Sequence, residues 1–61
     1  NWAAHAVGSD VYRGNVSASD GLAALDQIAI AAERSGLDTS EVDQTIESGY
    51  TAGLAGKKVA A

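Results

Sequence analysis

Gly49 and Gly53 stand one helical turn apart in "SEVDQTIESGYTAGL", a stretch otherwise patterned as an amphipathic helix. At 3.6 residues per turn they share a side with Val42 and Ile46, flanked by Thr45 and Tyr50. Glycine inside a helix costs about 1 kcal/mol against alanine. A pair on the buried side offsets that cost where another backbone must come closer than a Cβ allows. The expectation is a helix against which a second helix packs backbone to backbone. Membrane helices use the same spacing, but a span needs about 20 apolar residues, and this sequence has no such run.

What precedes the pair reads as a helix start. With Asp38 as N-cap, Glu41 falls at N3, a capping-box arrangement, and Leu37 and Val42 take the two positions of a hydrophobic staple. The polar side carries Gln44, Glu47, Ser48 and Thr51, and the helix is expected over 39–54, followed by a tail over 55–61. A second helix over 18–35 starts after an N-cap at Ser17 or Ser19, has Asp20 in its first turn and stops at Gly36. Its apolar stripe is Leu22, Leu25, Ile28, Ala29 and Ala32; Asp26, Gln27, Glu33 and Arg34 face away, with Ile30 an apolar exception among them. A first helix over 2–13 has Ala3, Ala4, Val7 and Val11 on one side and Trp2, His5, Ser9, Tyr12 and Arg13 on the other, and ends at Gly14-Asn15. Short connections between helices imply antiparallel neighbours. The fold class is all-α, a small antiparallel three-helix bundle, with residues 1–61 as one small helical domain or fragment.

The composition narrows what such a bundle does. A chain of 61 residues buries only about 60% of its unfolded surface. There is no Cys to staple it and one His, so neither a disulfide nor a thiolate or His-based metal site is expected. The hydrophobic residues are mostly small, with no Phe and no Met, which again asks for close helix packing. The chain opens at Asn1 and contains no Met, as expected of a fragment, a processed chain or one module of a longer protein. No signal-peptide pattern opens it, and a cytoplasmic setting is expected. The net charge of −4 is the wrong sign for a free-standing nucleic-acid binder.

"AAERSGLDTSEVDQTIESGYTAG", with the alanines and glycines before it, resembles the helical segment that follows the catalytic domain in bifunctional DNA primase–polymerases of phages, plasmids and bacteria. The matching positions are Asn1, Ala3, Ala4, Gly8 and Gly14, then Ala31, Ala32, Gly36 and Leu37. Glu41, Thr45, Ile46, Ser48, Gly49, Ala52 and Gly53 complete them, so the likeness covers nearly the whole chain. The stretch "SDVYRGNV" is more polar than the family pattern, and only Lys57 and Lys58 answer to its basic residues after the last Ala-Gly. The family's catalytic carboxylates belong to an upstream domain and have no counterpart here. The resemblance implies an accessory helical bundle that helps hold template or nucleotide, or links primase to helicase. Its partners would be the rest of a parent replication protein and a single-stranded DNA template.

The remaining chemistry is sparse. Asp38, Glu41, Asp43 and Glu47 lack the alternating acids and central glycine of a calcium loop; capping and a solvated face account for them. His5, Ser9 and Asp10 have the residue types of a hydrolytic triad, but Ser9 and Asp10 point about 100° apart on a helix. "GLAGKK" lacks the spacing and the Ser or Thr of a phosphate-binding loop. Trp2, His5, Tyr12 and Arg13 form the one side where aromatic rings and a cation could stack bases and pair phosphate, with Lys57 and Lys58 as further phosphate contacts. That same side could equally pack on the parent protein. The residues alone predict a small helical module with no metal and no cofactor; the resemblance implies a non-catalytic accessory module of a primase–polymerase replication protein. The alternative is a small helical protein–protein interaction module without a nucleic-acid role.

Overall fold

The structure, a computed structural model, describes residues 2–56. It contains three helices, α1 (Trp2–Tyr12), α2 (Ala18–Arg34) and α3 (Thr39–Leu54), joined by connections over 13–17 and 35–38. The ends fall within one residue of those read from the sequence, because local signals set them. Ser17 caps α2, its hydroxyl accepting from the Asp20 N–H at 3.1 Å. Asp38 caps α3, one carboxylate oxygen accepting from the N–H groups of Ser40 at 2.9 Å and Glu41 at 3.2 Å. The return bond of a full capping box, from the Glu41 carboxylate, is not formed, so Asp38 caps alone.

The stops of α1 and α2 are built alike. Asn15 N–H donates to the Asp10 carbonyl at 2.9 Å and Gly14 N–H to Val11 at 3.1 Å. Leu37 N–H donates to Ala32 at 3.4 Å and Gly36 N–H to Glu33 at 3.0 Å. Both are Schellman closures, which need a left-handed residue just past the helix; Gly14 and Gly36 supply it with φ of 78° and 95°.

The helices do not share the packing evenly. α1 lies against α3 far more extensively than either lies against α2. Ala4 and Gly8 are buried on α1, and Val42, Ile46, Gly49 and Gly53 on α3. The closest approach is glycine on glycine. A Cβ added to Gly8 would strike the Tyr50 carbonyl oxygen and come within 2.8 Å of the Leu54 nitrogen. One added to Gly53 would strike the His5 carbonyl oxygen and come within 2.8 Å of the Ser9 nitrogen. In each case the two atoms are i and i+4 on one helix, so each missing Cβ leaves room for a backbone hydrogen bond of the other helix. Further along, the Tyr12 ring lies beside Gly56, so α1 and α3 run in the same direction while α2 returns between them in sequence.

α2 is seated differently. Leu25, Ile28, Ala29 and Ala32 pack, partly buried, against a core of Ala4, Val42 and Ile46. Gly21 is buried with a Val11 methyl 2.7 Å from where its Cβ would be. Leu22, read from the sequence as part of the stripe, is 58% exposed. It lies about 100° round the helix from Gly21, at the edge of the buried side. Ile30 is exposed as well. The principal extents of 32 × 26 × 14 Å describe a flat body, too thin to enclose a deep core.

Candidate functional site

The side of α1 carrying Trp2, His5, Tyr12 and Arg13 does not form one compact platform. Trp2 is 76% exposed at one end of the helix and Tyr12 is 63% exposed at the other, a separation of about 15 Å along the axis. The Tyr12 ring lies beside Gly56, two residues past the end of α3: a Cβ there would lie 3.1 to 3.4 Å from its Cζ, Cε2 and Oη atoms. His5 is half-buried, with its carbonyl beside Gly53. Arg13 is exposed just past the last turn of α1. The structure thus ties Tyr12 and His5 into the α1–α3 seam and leaves Trp2 and Arg13 outward. Lys57 and Lys58 lie outside the described residues, as does Asn1.

Other arrangements of reactive groups are absent among the described residues. No three His, Asp or Glu side chains are placed to hold a metal ion. The backbone of Ser9 and His5 lies against Gly53, and neither residue lines any of the hollows described below. A hollow of about 510 Å³ is lined by α3 and its C-cap Ala55, through residues such as Gln44, Ser48 and Thr51. One helix cannot converge groups on a point, so this is an outer face. A smaller hollow of about 190 Å³ lies under the α2–α3 turn, where Leu37 and Ala32 meet Val42 and Ile46. That is the staple region, with Leu37 still 57% exposed.

A groove between α2 and α3 differs from both. It has a volume of about 450 Å³ and is lined by both helices. Leu22, Leu25 and Ala29 from α2 and Ile46 from α3 supply its apolar surface. Asp26 from α2 and Asp43 and Glu47 from α3 stand on its two sides. All three acids are exposed, and none has a cationic partner among the described residues. The chemistry offered is an apolar strip between two negative walls.

This groove was not legible from the sequence. Asp26 reads as the polar side of one helix, and Asp43 and Glu47 as the capped, solvated side of another; only the packing brings them together. The displacement of Leu22 from the buried side is what opens the strip. No family profile, curated protein or solved structure matches this chain.

Proposed function

We propose that this chain is a non-catalytic helical accessory module that works by lying against another polypeptide. The observation that carries this is the groove between α2 and α3, where Leu22 lies exposed and Leu25 only partly buried, beside a core that among the described residues consists of Ala4, Val42 and Ile46. Scattered exposed apolar residues are normal on any surface; apolar side chains gathered along a groove are the usual mark of an interaction site. The resemblance of the glycine and capping pattern to the segment after primase–polymerase catalytic domains supports a replication protein as the setting, in the cytoplasm. There the module would couple the catalytic domain to a helicase domain, or help position template or nucleotide. Coupling is the better supported role, since net charge −4 opposes phosphate binding. Among the described residues no helix is long and apolar enough to cross a membrane.

A second reading keeps the docking surface and drops the replication setting: a protein–protein interaction module with no nucleic-acid role. The acidic sides of the groove favour it. Titration with single-stranded oligothymidine at low salt, read by Trp2 fluorescence, tests whether template is touched. Docking alone predicts no change. A quench that weakens with salt and disappears in Arg13→Ala would move the reading to template contact through α1.

A further inference from the structure

We infer that the groove between α2 and α3 receives a cationic amphipathic helix, one with an apolar stripe flanked by lysines or arginines on both sides. The inference rests on the docking reading and adds the chemistry of the partner. Charge complementarity carries it. Asp26 stands on one side and Asp43 and Glu47 on the other, so a rod laid between them meets carboxylates on both flanks and apolar side chains beneath. Cations on both flanks satisfy that arrangement, while anions or uncharged polar groups do not.

The backbone argues for a helix. α2 and α3 have spent their N–H and C=O groups internally and offer no free edge. An extended segment in this groove would leave its own backbone groups unpaired against apolar surface, whereas a helix satisfies them itself. The strip from Leu22 to Ala29 covers about 10 Å, roughly two turns, which matches anchors at i, i+3 or i+4, and i+7. A second copy of this chain is a poor occupant, because net charge −4 brings acid against acid.

The test uses the 61-residue chain and a fluorescein-labelled peptide of about 18 residues, long enough to form a helix on binding. Leucines form one stripe and lysines flank it; a second peptide has glutamates in place of the lysines. Anisotropy should show binding of the lysine peptide only, weakening with salt. Asp26→Asn/Asp43→Asn/Glu47→Gln should weaken it by about tenfold, and Asp10→Asn/Glu33→Gln/Glu41→Gln, the same change in net charge elsewhere, by less than about threefold. Leu22→Ser should also weaken it, with far-UV circular dichroism unchanged in every variant.

No binding, or equal losses from the two triple variants, overturns the proposal. So does a dimer in sedimentation that the groove variant alters, which assigns the groove to a second copy. Failure of the peptide while the Leu22 flank still binds a hydrophobic dye removes the cationic partner and leaves the docking reading intact.

Discussion

The α1–α3 seam and the seat of α2 are built from the same small-residue vocabulary and use it in opposite ways. At the seam, Gly8 and Gly53 remove the side chains where the helices meet, and backbone faces backbone. On α2, the one buried glycine faces a valine methyl, and the larger side chains reach the core only in part. The lesson is that glycine inside a helix has no fixed value. Against the backbone of another helix it is a geometric requirement; against a single side-chain methyl, as at Val11, a smaller shift accommodates a Cβ.

The largest effect should come from the seam. Gly8→Ala and Gly53→Ala each raise helix propensity, yet each should lower stability by about 1–3 kcal/mol in urea unfolding, because the added carbon meets atoms that cannot turn away. Either methyl forces the same separation, so the double variant should cost less than the sum of the two. Full additivity would show that the glycines act independently and would break the picture of one contact. Gly21→Ala should fall within about 0.5 kcal/mol of the parent, since the gain in propensity offsets a shift of the Val11 side chain. A loss as large as that at Gly53 would erase the distinction between the two regions. The smallest effect on stability is expected from Leu22→Ser/Ile30→Ser. It should leave the unfolding midpoint nearly unchanged and remove much of the hydrophobic-dye binding, because neither side chain is buried.

How far the sequence announces this structure depends on where the information resides. Helix ends are written locally: Ser17, Asp38, Gly14 and Gly36 act on backbone groups within a few residues of themselves. The buried side of α3 was equally plain, since Val42, Ile46, Gly49 and Gly53 coincide on one face and are all buried. α1 was harder. Its apolar residues Val7 and Val11 point toward α2 near Gly21, while its closest contact is made by Ala4 and Gly8, further round the helix. Gly8 lies one turn from Ala4 on that same side, and the spacing that placed Gly49 and Gly53 with Val42 and Ile46 could have placed it too. The groove is a property of two helices at once, and reading each helix alone assigns its acids to solvent. The spread of Trp2 and Tyr12 along α1 was implicit in their spacing, but the approach of the Tyr12 ring to Gly56 was not.

The parallel course of α1 and α3 has a mechanical consequence. Residues 2 and 56 lie toward opposite ends of the seam, because Tyr12 at the far end of α1 sits beside Gly56. Tension applied through those two points pulls α1 and α3 in opposite senses along the seam. The seam is then loaded in shear, and its contacts resist together instead of opening one after another as in a zipper. α2 lies to the side of that contact, so only the α3 wall of the groove, with Asp43, Ile46 and Glu47, belongs to a loaded helix.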